Sequence, residues 1–425
     1  MMKTEKKWMR LDNAAKIYPA AKRRKWTSLF RLSADLDREI DPAVLARAAE
    51  VTVKRFPSIN VRLGEGLFWY YLEENDAPPL PREDGEAPCL LMKKAELKRC
   101  AFRILYYRSR IAVEFFHSLT DGTGGMIFLK NLVAEYLFQE RGIEAPFTHG
   151  LLDRRAAPDP EELEDSFLRY AGEVRKSPKE AKAYRLPGRA EAYGVRHLTV
   201  GTLELDAIKE KAKEYGATLT VFLTAVMIKA IVNIEERRVP IRALRKPVKV
   251  LVPINLRRFF PSRTLRNFAL FVTPGVEPRL GSYDLDEIVR IVYHSMGISV
   301  AEKELAARIA SNVQAEKTMA LKLMPLFIKN FAMKLVYNSV GEKKSCICMS
   351  NLGQADFPEE IAAHVRRMDF ILGPLSMSNY TCGVVTFGGK LRINFVNVVR
   401  DPELEREFFR LLRSLGLHVY LESNE

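Results

Sequence analysis

The sequence is poor in the residues that build disulfide frameworks and metal centres. Its 425 residues include five cysteines (Cys89, Cys100, Cys346, Cys348 and Cys382) and six histidines. An odd, sparse cysteine set in so long a chain does not read as a disulfide scaffold. Cys346-Ile347-Cys348 alternates inside an apolar run and reads as strand, not as a metal clip. There is no paired Cys/His finger, no RNP sequence and no basic region leading into heptads, so no nucleic-acid partner is expected. No apolar h-region follows the first eight residues, and no stretch of about 18 uncharged apolar residues occurs. A cytoplasmic chain is expected. The nucleophile elbow G-x-S-x-G and the phosphate-binding P-loop are missing too. Chemistry without a covalent serine intermediate, a metal or a permanently bound cofactor is therefore expected.

What is present is an ordinary globular composition, 47% hydrophobic and 28% charged, carrying a net charge of +14. Such an excess favours anionic partners: an anionic membrane, a phosphorylated cofactor or an acidic carrier protein. The clusters Lys22-Arg23-Arg24-Lys25, Arg257-Arg258 and Arg366-Arg367 each read as solvated surface. Met319 to Tyr337 is very apolar yet holds Lys322, Lys329 and Lys334. It reads as a buried helix with snorkelling lysines rather than a membrane-surface helix, so membrane contact is not expected.

Along the chain, helical and strand signals alternate. Asp41-Pro42 followed by an apolar stripe predicts a capped helix. Phe102 to Tyr107 and Ile111 to His117 predict a hairpin, with Ile111, Val113, Phe115 and His117 on one face. Residues 151–196 are highly charged and punctuated by prolines, as in a connection between lobes. The expected division is 1–150, 151–196 and 197–425, with a mixed α/β fold of two lobes.

His117-Ser118-Leu119-Thr120-Asp121-Gly122 stands where a strand gives way to a glycine-rich turn and a helix. An imidazole there can accept a proton at neutral pH and so activate a hydroxyl or amine. Asp121 would hold the turn through backbone N–H groups or a basic partner, and Gly122 would allow a conformation closed to other residues. Spacing alone favours a plain turn. A dinucleotide fingerprint in Gly122-Thr123-Gly124-Gly125 fails, because Ile127 stands where its third glycine belongs. A metal site on His117 and Asp121 lacks a third ligand nearby.

The hexapeptide resembles the HxxxDG motif of the thioester-dependent acyltransferase superfamily: chloramphenicol acetyltransferase, plant BAHD enzymes, non-ribosomal condensation domains and bacterial alcohol acetyltransferase-like proteins. The resemblance spans most of the chain. It includes Ile40 to Leu45, Arg55-Phe56-Pro57, Thr218 to Ala225, Val252 to Arg257, Arg266-Asn267-Phe268 and Ser350-Asn351-Leu352-Gly353. It is nearest to the alcohol acetyltransferase-like group.

The resemblance implies two α/β lobes, each a mixed sheet with flanking helices, and a tunnel between them with His117 at its middle. It implies His117 as general base, Asp121 as a structural brace paired with Arg257, and Ser350 or Asn351 as support for an oxyanion. Acyl-coenzyme A would be the co-substrate, or an acyl-phosphopantetheine on an acidic acyl-carrier protein. The acceptor would be a small-molecule alcohol or amine. Condensation domains usually carry a second histidine where this chain has Phe116, which favours simple acyl transfer over peptide condensation. The alternatives are carrier-protein-dependent transfer or a catalytically silent module binding a carrier or a lipid.

Overall fold

The computed structural model describes residues 7–21, 27–85, 87–172, 182–192, 194–317, 324–336, 344–375 and 378–424. The cluster Lys22-Arg23-Arg24-Lys25 and both ends of Met319 to Tyr337 lie outside the described residues.

The first lobe is built on a five-stranded sheet. Its order is Val365–Leu372, Leu29–Leu36, Arg110–Phe116, Phe102–Tyr107 and Arg82–Glu83. The Phe102–Tyr107 and Arg110–Phe116 hairpin turns through Arg108, whose φ of 49° is left-handed. Two helices cover one face. Pro42–Arg55 begins at Asp41, whose Oδ1 accepts from the backbone of Ala43 and Val44. Pro42 suits that first turn because it needs no N–H there. Gly122–Arg141 ends at Gly142, which takes the left-handed φ of 71° that closes a helix. A small antiparallel sheet, Trp8–Arg10, Tyr70–Glu74 and Val61–Glu65, flanks this lobe.

The second lobe has an eight-stranded sheet. Its main order is Ala269–Val272, Val248–Asn255, Ile347–Gln354, Tyr380–Phe387, Lys390–Asn397, His197–Glu204 and Tyr420–Ser423. Ile347–Gln354 runs parallel to both of its neighbours, and the remaining pairs are antiparallel. The helix Leu219–Arg238 is buried along most of its length beneath the sheet. The amphipathic helix Glu403–Ser414 adds Leu404, Phe408, Phe409 and Leu412 to the same core. Among the described residues no single helix is long and apolar enough to cross a membrane.

Each lobe has its own apolar core. The lobes are not two consecutive stretches of chain, however. Val365–Leu372 leaves the second lobe and pairs with Leu29–Leu36, and Ala355, Phe357 and Ile361 join the first core with it. The crossing strand is held closely: a Cβ on Gly383 would stand 2.1 Å from the Phe370 carbonyl oxygen. The described residues of the connecting stretch 151–196 touch both lobes. Glu162 forms a buried bidentate pair with Arg55 at 2.5 and 2.7 Å, while Tyr184 and Leu186 sink into the second core. Two of the basic clusters are divided: Arg257 pairs with Asp121 and Arg367 with Asp369 and Glu422, while Arg258 and Arg366 stay exposed.

Candidate active site

His117 follows the last residue of Arg110–Phe116, and its backbone N–H still donates to the Ser28 carbonyl at 2.8 Å. The ring is fixed from both lobes. On the first-lobe side Tyr18 stacks on it at 4.5 Å and 12°, and Phe30 meets it edge-on at 5.1 Å. On the second-lobe side Nδ1 lies 3.1 Å from Asn267 Oδ1. The Asn267 amide nitrogen donates to Asp12 Oδ2 at 3.2 Å, so its oxygen must be the atom facing the imidazole. Nδ1 is then the protonated nitrogen, and the lone pair is left on Nε2. That is the tautomer a proton acceptor needs. Burial pushes the imidazole below its ordinary pKa, opposed by Asp121 and by the hydrogen bonds to Asn267 and to backbone carbonyls. The ring is therefore neutral at physiological pH.

Asp12 is itself sealed from water. Burial pushes its carboxyl up to about 6, against the pull of Arg266, whose Nε lies 3.9 Å away. It also accepts from the backbone of Ala15 at 2.7 Å.

Asp121 faces away from the imidazole and binds the turn to the second lobe. Oδ1 caps the helix Gly122–Arg141 by accepting from Thr123 and Gly124, each at 3.1 Å. Oδ2 takes Arg257 Nη1 at 2.7 Å and the Phe268 backbone N–H at 2.9 Å. Arg257 then gathers its own loop by donating to the carbonyls of Thr264 and Arg266. Thr120 adds a 2.6 Å bond to the Leu265 carbonyl. The loop carrying Asn267 is thus tied to the turn carrying His117. Phe268 anchors that loop in a small aromatic cluster with Phe167 and Phe260.

Gly122 is not in a left-handed conformation, contrary to the reason expected for it. What it provides is room: a Cβ there would stand 2.4 Å from the Leu352 side chain. Ser350 and Asn351 lie on Ile347–Gln354, in the second lobe. Asn351 is committed to local structure, with Nδ2 donating to Thr220 Oγ1 at 3.1 Å and Oδ1 accepting from Gly353. The Ser350 side chain is nearly buried beside Gly383. The cavity lined by Thr52, Asn131, Glu135 and Arg154 lies behind the helix Gly122–Arg141 and includes none of these residues.

Residues 173–395 match the sequence model of a family described as alcohol acetyltransferase, which covers more than half of the chain. The chain belongs to the alcohol acetyltransferase family. It is an acyltransferase. No curated protein matches it. Solved structures share the two-lobed fold over nearly the whole chain. One is TRI101 of Fusarium sporotrichioides complexed with coenzyme A and T-2. Identity is 10%, with 98% of this chain and 99% of that chain covered, at a TM-score of 0.62. Another is the first condensation domain of the calcium-dependent antibiotic synthetase with a substrate analogue. There 14% identity spans 96% of each chain at a TM-score of 0.58. A third is the wax ester synthase/diacylglycerol acyltransferase of Marinobacter aquaeolei VT8. It shows 14% identity over 96% of this chain and 100% of that one, at a TM-score of 0.55.

For this acyltransferase, sequence reasoning missed three groups that fix the imidazole. Asn267 lay inside a recognised segment but received no role. Asp12 and Tyr18 had no signal at all, being far from His117 in sequence and within no motif. Only the tertiary fold brings them to it.

Proposed function

We propose that the protein transfers an acyl group from acyl-coenzyme A to a hydroxyl acceptor, with His117 as general base and no covalent enzyme intermediate. The observation that carries this reading is the Asp12–Asn267–His117 chain, which leaves Nε2 unprotonated at the junction of the lobes. The acceptor hydroxyl gives its proton to Nε2 as its oxygen attacks the thioester carbonyl. The tetrahedral intermediate collapses to the ester, and the departing coenzyme A thiolate takes the proton back from the imidazolium. This reading requires the acceptor and the thioester to approach His117 between the lobes, as the family resemblance implies. The +14 charge suits a polyanionic donor, and TRI101, which shares the fold, is described in complex with coenzyme A.

Asp121 and Arg257 act as the brace that holds the two loops in register, not as an acid. Gly122 allows the turn to close against Leu352. Ser350, or the second Asn351 amide hydrogen that remains beside its bond to Thr220, supports the oxyanion. A thioester on an acidic acyl-carrier protein would present the same reacting group. Acyl transfer from acetyl-coenzyme A and from an acyl-carrier thioester to a panel of alcohols and amines separates the donors and acceptors. His117→Ala should lose transfer from whichever donor is used. Undiminished transfer by that variant would sink the mechanism.

A further inference from the structure

The helix Leu326–Val336 inverts the expected placing of its lysine and its aromatics. Lys329, expected to snorkel, is 1% exposed. Its ammonium lies 3.3 Å from the centre of the Trp69 ring and donates to the Phe68 carbonyl at 2.9 Å. Asn330 donates to the Tyr70 hydroxyl, and the Leu326 N–H to the Leu67 carbonyl. These contacts pin the helix to the hairpin between Val61–Glu65 and Tyr70–Glu74. They also turn its apolar side outward. Phe327 is 74% exposed, Phe331 66% and Ile328 41%, and Leu67 on the hairpin tip is 72% exposed. A helix fastened to the protein by its lysine, with its phenylalanines in water, is the reverse of ordinary packing.

We propose that Phe327, Ile328, Phe331 and Leu67 form a surface that docks onto an anionic lipid bilayer. Charge complementarity selects that occupant. The helix Lys94–Leu97 lies against the same hairpin, tied to it by a 2.7 Å ion pair between Lys94 and Glu65. Lys93, Lys94, Lys98 and Arg99 are all exposed there. Protruding aromatics beside a basic cluster are what an interfacial element presents to acidic headgroups. A second copy of this +14 chain would instead bring like charge to the patch. One helix links the surface element to the imidazole: Ile17–Ala21 packs on Leu326–Val336, and its Tyr18 stacks on His117. If the acyl-transfer reading holds, a bilayer there would supply apolar acceptors. The docking itself does not depend on that reading.

The test is flotation of the full chain with phosphatidylcholine vesicles, alone or with about one-third phosphatidylglycerol. The wild type should float with the anionic vesicles. The double variant Phe327→Ser/Phe331→Ser should float about tenfold less while keeping its circular dichroism spectrum, since both side chains are exposed. Lys93→Glu/Lys98→Glu should weaken flotation on the anionic vesicles alone. A wild type that stays in the soluble fraction, or a phenylalanine variant that floats equally well, overturns the proposal. So does a wild-type dimer that dissociates in the phenylalanine variant without any vesicle binding. Flotation needs no turnover, so its failure would leave the acyl-transfer reading standing.

Discussion

Arg257 Nη1 meets Asp121 Oδ2 at 2.7 Å, across 136 positions of chain and from one lobe to the other. Both side chains are largely buried, at 12% and 8% exposure. Removing one partner of such a pair leaves the other charge poorly solvated, a loss of roughly 3–5 kcal/mol when burial is complete and less here. Asp121 also caps a helix, worth about 1 kcal/mol more. Asp121→Ala and Arg257→Ala should therefore both unfold at lower denaturant than the wild type, the first losing the cap as well and the second its bonds to the Thr264 and Arg266 carbonyls. A wild-type midpoint in either variant would show that the pair does not hold the two loops together.

The Asn267 amide should matter to rate more than to binding. Asn267→Ala leaves the imidazole free to change tautomer and to rotate, and misplacement of a reacting group costs on the order of 100-fold. His117→Ala should lose about 100- to 10,000-fold, the range for a general base. Steady-state kinetics with both variants should show kcat falling while KM for the thioester stays near its wild-type value. A change confined to KM would make Asn267 a binding residue.

How much of this was readable beforehand follows the range of the interactions. The helix at Pro42, the hairpin before His117 and the turn at Asp121 are set by neighbours within a few positions, and they stand where the sequence placed them. Asp121 and Arg257 were paired only through the family resemblance, because nothing local joins residues so far apart. The strand Val365–Leu372 reads as any second-lobe strand would. Its hydrophobic pattern is satisfied by either sheet, and only topology sends it to the first. Lys329 and its phenylalanines misled for a related reason. Apolar residues all round a helix suggest burial, but a lysine can be satisfied inside by a carbonyl and an aromatic ring.

The pH dependence should have one acid limb set by two groups. Burial holds His117 below its ordinary pKa, so the base form persists to lower pH than for a free imidazole. Asp12 is pushed up to about 6, and below that pH it loses the charge that orients Asn267. Activity should therefore be flat at neutral pH and fall below about 6 as both groups take up protons. Asp12→Asn mimics the protonated carboxyl, so it should lower the rate at neutral pH and leave a single limb, set by His117 alone and lying at lower pH. An unmoved limb in kcat/KM would uncouple Asp12 from the base.

Gly122 and Gly124 differ in what a methyl group would strike. At Gly122 it meets the end of the Leu352 side chain, which can turn aside. At Gly124 it stands 2.2 Å from both the Leu265 carbonyl oxygen and Thr120 Oγ1, and a backbone carbonyl cannot turn aside alone. Relief there requires the loop from Thr264 to Asn267 to move, which draws Asn267 from His117 and strains the Arg257 contacts with Thr264 and Arg266. Overpacking of this kind costs about 1–3 kcal/mol. Gly124→Ala should thus lower stability and activity together, with kcat falling toward that of Asn267→Ala. Gly122→Ala should be the milder change in both. If Gly124→Ala lowers the melting temperature but keeps the wild-type rate, then the loop's position does not govern the imidazole.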